Sequence, residues 1–260
     1  MTRTTAASLV AGVATLLALA AMASGTYVEP APPGVYTAVA APGGGPTAEL
    51  PLLAPNGILD TLYGLENLER VPDAGSHADE IWWLPESAGQ AEVRLRAKFA
   101  GFQHSFGVLP GESGWNFTPL IDSGKASANK LYSGNASWSK ATFDVEGPFR
   151  FGLRLLDCPA YLWSSAAADN TLMPSGQPGD GLDHLVTWRI TGNAGYPGNR
   201  VGNYVLAWED LDRYGRTRYA CDADFNDVVF EVGGVHVPEP TSLVLLMLGA
   251  VLLRSRRRGP

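Results

Sequence analysis

Cysteine is scarce in this chain of 260 residues: only Cys158 and Cys221 are present, neither in a CxxC pair nor beside a histidine at zinc spacing. The four histidines, His77, His104, His184 and His236, are equally scattered, so zinc chemistry is not expected. In an oxidising compartment the two cysteines could pair across 63 positions, a link worth roughly 4 kcal/mol in the loop-entropy model. The alternative is two separate buried thiols. Charge is also sparse, at 17% of residues. Setting aside Arg3 at one end, and Glu239 with four arginines beyond Val237 at the other, 14 basic and 25 acidic side chains remain, a net charge of −11. Nucleic acid is thereby excluded as a partner, because that affinity comes from basic contacts to phosphate. A cation is a better match.

Catalytic constellations are missing as well. The nearest approach to a nucleophile elbow, Gly111-Glu112-Ser113-Gly114, fails at the last position of GxSxG, and no nucleophile stands with a base. Asp79 and Glu80 are adjacent, so on a strand they point to opposite faces and cannot flank a glycosidic bond. Enzymatic activity is not expected. There is no internal repeat and no βαβ alternation, which argues against a parallel sheet covered by helices.

What is abundant points to β structure. Thirty glycines and nineteen prolines punctuate short runs of Val, Leu and aromatic residues, a pattern of many turns rather than long helices. The clearest strand is 91–99, where Val93, Leu95, Ala97 and Phe99 alternate with Glu92, Arg94, Arg96 and Lys98. One face is expected to be buried and the other wet, as in antiparallel sheets. Residues 101–109 should pair with it or continue it after a bend at Gly101, with Gly107 relieving a bulge. Further strands are expected at 142–145, 149–155, 161–163, 183–190, 204–209 and 225–232. Residues 56–75 could form a short amphipathic helix or an irregular edge. Of the adjacent Trp82 and Trp83, one should be core and the other half exposed. The expected architecture is an all-β, antiparallel β-sandwich of jelly-roll type, over residues 78–236.

The two ends read differently. Residues 1–23 hold Arg3, then an Ala- and Leu-rich run ending Ala21-Met22-Ala23, the form of a secretory signal peptide cleaved after Ala23. A retained membrane anchor is the alternative. Residues 24–77 are a Pro/Gly/Ala-rich spacer and lead-in, best read as flexible up to about Pro55. Residues 237–260 comprise Pro238-Glu239-Pro240, an apolar stretch from Ser242 to Leu253, and Arg254, Arg256, Arg257 and Arg258. As a helix the stretch spans roughly 18 Å, short of the ~30 Å hydrocarbon core, and its basic cluster would stay on the cytoplasmic side.

Side-chain chemistry concentrates in residues 203–232. Glu209, Asp210, Asp212, Asp222, Asp224, Asn226 and Asp227 gather at the inner ends of two strands and the loop between them. Their oxygens repel one another unless solvated, hydrogen-bonded to backbone or neutralised by a cation, and calcium suits such hard donors. Asp222, Asp224 and Asn226 have the i, i+2, i+4 spacing that opens calcium loops. The later Gly and Glu of an EF-hand are absent, leaving a β-loop site formed by Glu209, Asp210, Asp222, Asp224, Asn226 and Asp227, with Asp183 a further source of carboxylate. The competing reading is that these residues cap turns and bind local amides.

Pro-Glu-Pro, a hydrophobic run and an arginine cluster in that order closely resemble the PEP-CTERM sorting signal of bacteria. The resemblance implies recognition by a membrane exosortase, transport across the inner membrane, transient tethering, then release or surface attachment among exopolysaccharide and biofilm components. Trp208-Glu209-Asp210-Leu211 and Asp222-Ala223-Asp224-Phe225-Asn226-Asp227-Val228-Val229 resemble the core of the domain of unknown function 4114 family. Gly179 to Val186 and Phe106 to Val108 are similar as well, so that likeness covers residues 78–235. Together these readings imply an exported, structural or adhesive, calcium-stabilised protein. The alternative is a carbohydrate-binding module for exopolysaccharide, since seven tryptophans make stacking on sugars conceivable.

Overall fold

The computed structural model describes residues 50, 52–71, 80–85, 90–123, 130–132, 139–212 and 225–237. The signal peptide, most of the spacer, Cys221, Asp222, Asp224 and the sorting residues Pro238, Glu239, Pro240, Arg254, Arg256, Arg257 and Arg258 lie outside them. Among the described residues no helix is long and apolar enough to cross a membrane.

Two antiparallel sheets face one another, as the alternating patterns predict. The larger contains β1 (Leu68–Arg70), β9 (Leu185–Ile190), β10 (Tyr204–Trp208), β11 (Val228–Gly233), β2 (Ala91–Lys98) and β5 (Lys130–Leu131) in that order, with β6 (Lys140–Phe143) also on β2. The smaller runs β4 (Thr118–Asp122), β3 (His104–Pro110), β7 (Phe149–Leu155) and β8 (Leu162–Ser164). Between them lies an aromatic core in which Phe106 stacks on Phe230 at 4.1 Å and on Phe151 at 5.3 Å. Trp82 meets Phe151 and Tyr204 edge-on, each at 5.1 Å. Trp82 is fully buried while Trp83 is half-buried, as adjacent residues on extended backbone require.

The face of β2 expected to be wet is buried: Arg94 and Arg96 are each 3% exposed or less. The reason lies upstream. Residues 52–67, assigned from sequence to the spacer and lead-in, pack on the outside of the larger sheet as a third layer before the chain joins that sheet as β1. A short helix, α1 (Ile58–Tyr63), forms where the Asp60 carboxylate accepts the Asn56 N–H at 2.7 Å. It ends at Gly64, whose positive φ lets its N–H reach the Asp60 carbonyl. Leu52, Ile58, Leu59 and Leu62 then form a second core with Val186, Trp188, Ile190, Val205 and Val229. The fold therefore begins well before residue 78, because the outer sheet face carries an apolar cluster of its own that this segment covers.

Charges trapped under this layer are paired. The Glu231 carboxylate accepts bonds from Arg94 Nη2 to both oxygens at 2.7 Å, from Tyr63 Oη at 3.1 Å and from Asn203 Nδ2 at 2.8 Å, with Arg96 Nε at 3.7 Å. Burial, and then the Glu231 charge, hold the Tyr63 phenol far above its usual pKa, so it remains a donor.

Strand β3 does not pair with β2. The chain bends at residues 99–103 and crosses to the other sheet, where β3 lies between β4 and β7. A register shift does occur at Gly107, the extra residue being Leu120 of β4. Gly107 faces Gly152 across the ladder, and the Phe117 ring fills the trench they leave. A Cβ on Gly107 would come within 2.1 Å of the Thr118 carbonyl. The Arg154 guanidinium lies 4.5 Å from the centre of the Phe117 ring.

Candidate metal centre at the strand ends

A second register shift sets up the acidic cluster. Along β11, Val229 faces Ala97 but Phe230 faces Leu95, so Arg96 is an extra residue and β2 reverses its facing beyond it. Ala97 joins the outer core while Leu95 belongs to the inner one. Lys98 is thereby directed inward, toward the end of the sandwich where β10 finishes and β11 starts. Burial lowers its pKa from the ordinary lysine value, and the nearby Asp210 and Asp157 oppose that shift.

At this end Glu209, Asp210 and Asp227 each place a carboxylate oxygen within 4.8 Å of the other two. Glu209 and Asp210 follow directly on β10, and Asp227 immediately precedes β11. The pairing of Trp208 with Val228 brings the two strand ends together. Phe225 has a positive φ of 54°, costly for an aromatic residue, and its buried ring anchors the turn in the outer core. Asp227 then faces Asp210, while Asn226 donates to the Leu50 carbonyl at 3.3 Å.

Backbone and rings fix the carboxylates. Asp227 Oδ2 accepts the Asp210 N–H at 2.7 Å, and Glu209 Oε1 accepts the Leu211 N–H at 3.2 Å. Asp210 Oδ2 lies 2.6 Å from His104 Nε2 on β3, a fully buried contact joining the two sheets. The Asp210 carbonyl accepts Trp163 Nε1 at 2.9 Å, and the Glu209 carbonyl pairs with His184 Nδ1 at 3.0 Å. His184 stacks on Trp163 at 3.7 Å and contacts Asp180 through Nε2, the satisfied core histidine its place in the pattern suggests.

Of the six residues singled out as metal ligands, the structure thus brings together Glu209, Asp210 and Asp227. It sets Asn226 beside them with its amide turned to Leu50. Asp183 instead caps β9, accepting the Leu185 N–H at 2.9 Å. Sequence reasoning missed Lys98 and His104, because residues 91–99 alternate without a break and the change of facing shows only in the pairing with β11. Cys158 is half-buried and a free thiol. Three carboxylates form a hard, anionic donor set suited to calcium or magnesium rather than to thiophilic metals. Lys98 lies close enough to Asp210 for the two charges to interact, and the His104 ring contacts the Asp210 carboxylate directly.

The model of the PEP-CTERM protein-sorting motif matches residues 236–258. No curated protein and no solved structure matches the chain, and the comparisons give no support to the likeness to the domain of unknown function 4114 family. His236, where the match begins, exchanges backbone hydrogen bonds with Trp83 at 3.0 Å in both directions, so the sorting motif starts on the last residues of the folded sandwich. The chain therefore combines an antiparallel β-sandwich with a PEP-CTERM motif, the mark of an exported protein sorted by exosortase.

Proposed function

We propose that this protein is a non-enzymatic component of the cell surface or extracellular matrix, held briefly at the inner membrane by residues 237–260 and stabilised by calcium at the ends of β10 and β11. The observation that carries the reading is the convergence of Glu209, Asp210 and Asp227 oxygens. Three carboxylates at such range repel strongly, and a divalent ion offsets that repulsion. Asp222 and Asp224 would add oxygens from the intervening loop. The structural or adhesive role, rather than a catalytic one, is supported by the use of the histidines at this end: His104 and His184 each bind a carboxylate or carbonyl within the fold.

Carbohydrate stacking draws no support from Trp82, Trp163, Trp188 and Trp208, all of which are buried. Titration calorimetry of the exported chain with calcium tests the proposal. Heat of binding and a rise in melting temperature at millimolar calcium are expected. Absence of both signals would mean that the cluster is balanced within the protein and takes up no calcium.

A further inference from the structure

The acidic cluster and the exit of the sorting tail lie at opposite ends of one strand. Asp227 precedes β11 and Val237 follows it. From Asp227 to Gly234 the chain makes seven steps, about 23 Å of extended strand. The smaller sheet has the same polarity: His104 at the start of β3 meets Asp210, while Phe149 at the start of β7 pairs with Trp82, next to the Trp83 that holds His236. Five steps separate Val237 from Ser242, the first residue of the apolar run, and these span at most about 18 Å.

We propose that, while the tail is inserted, the sandwich stands with its acidic end directed away from the bilayer. This inference rests on the tethering reading above. To press Asp227 against the membrane, the domain would have to lift Val237 about 23 Å above it, farther than the ~18 Å link reaches. The surface that remains against the lipid holds the loop between β9 and β10, including exposed Val201. The surface offered to the medium is the one that would take up a divalent cation.

The test uses the full chain in vesicles of phosphatidylethanolamine and phosphatidylglycerol bearing a headgroup acceptor dye. Donor dyes are placed through Gly101→Cys, which is exposed and open around its Cα and lies next to the Ala100 N–H bonded to Asp227, or through Val201→Cys. Both are made in a Cys158→Ala, Cys221→Ala background. Energy transfer from position 201 is expected to exceed that from 101 by about twofold or more, given the ~23 Å between strand ends. Equal or reversed transfer in chains that float with the vesicles overturns the orientation and leaves the tether standing. Failure to float overturns the tether, and the orientation with it. If the cysteine-free background does not melt cooperatively, a short enzymatically labelled peptide inserted at the same two loops, with both native cysteines kept, gives the same reading.

Discussion

Replacing Glu231 by Gln should cost this fold more than any single surface change. The side chain is fully buried and is the shared acceptor for Arg94, Tyr63 and Asn203, with Arg96 close by. Gln conserves the volume but removes the charge, taking from the buried Arg94 guanidinium the carboxylate it bonds under the α1 layer. It also turns one acceptor into a donor among donors. Stranding a buried charge in this way costs about 3–5 kcal/mol. With a urea m-value of about 2 kcal/mol/M, the midpoint should fall by roughly 1.5–2.5 M. Tryptophan fluorescence can follow the transition, since Trp82, Trp163 and Trp208 are buried. Glu92→Gln is the matched control: its partner Arg200 is 47% exposed, so about 0–1 kcal/mol is expected. Joint replacement of Glu231 by Leu and Arg94 by Met should recover part of the loss, because an apolar pair of similar volume tolerates that site. If Glu231→Gln loses no more than Glu92→Gln, Arg94, Tyr63, Asn203 and Glu231 do not form a fixed ionic cluster beneath α1.

Tyr63→Phe should lose about 1.5–3 kcal/mol near neutral pH, the worth of a hydrogen bond to a charged acceptor. Because the folded phenol titrates above the unfolded value of 10, its contribution is complete below pH 10 and declines above it, so the deficit of the variant should narrow in alkaline urea melts. Gly107→Ala should destabilise by about 2 kcal/mol or more through contact with the Thr118 carbonyl. Gly101→Ala, which meets nothing within 4 Å, should be neutral or slightly stabilising; similar melting temperatures for the two would refute the close-approach argument. Asp227→Asn retains an acceptor for the Asp210 N–H but removes a charge, and calorimetry should show calcium affinity at least about tenfold weaker, as for other changes that lower ligand charge.

Much of the sandwich could be read from period-two alternation, because Phe149, Phe151, Leu153 and Leu155 of β7, and Val228, Phe230 and Val232 of β11, face a single core. The outer face of the larger sheet could not be read in the same way. Arg94, Arg96 and Glu231 look like a solvated face until the register places Arg94 opposite Glu231 and a segment far upstream covers both. Such cover depends on Leu52, Ile58, Leu59 and Leu62 finding a partner surface over a hundred residues away, and local pattern does not encode that. Among the acidic residues, the direct succession of Glu209 and Asp210 on β10 and of Asp227 before β11 was enough to place them together. The involvement of Lys98 and His104 required the inserted Arg96, whose effect on facing shows only in the pairing.

Strand β11 is flanked on both sides, by β10 and β2, and the tail leaves from its end. Any pull between a membrane-held tail and something gripping the far end of the domain would run along that strand. Tension would then load its two ladders in shear, with many hydrogen bonds resisting together, rather than peeling them apart one at a time. A module attached in this manner is suited to bearing mechanical load.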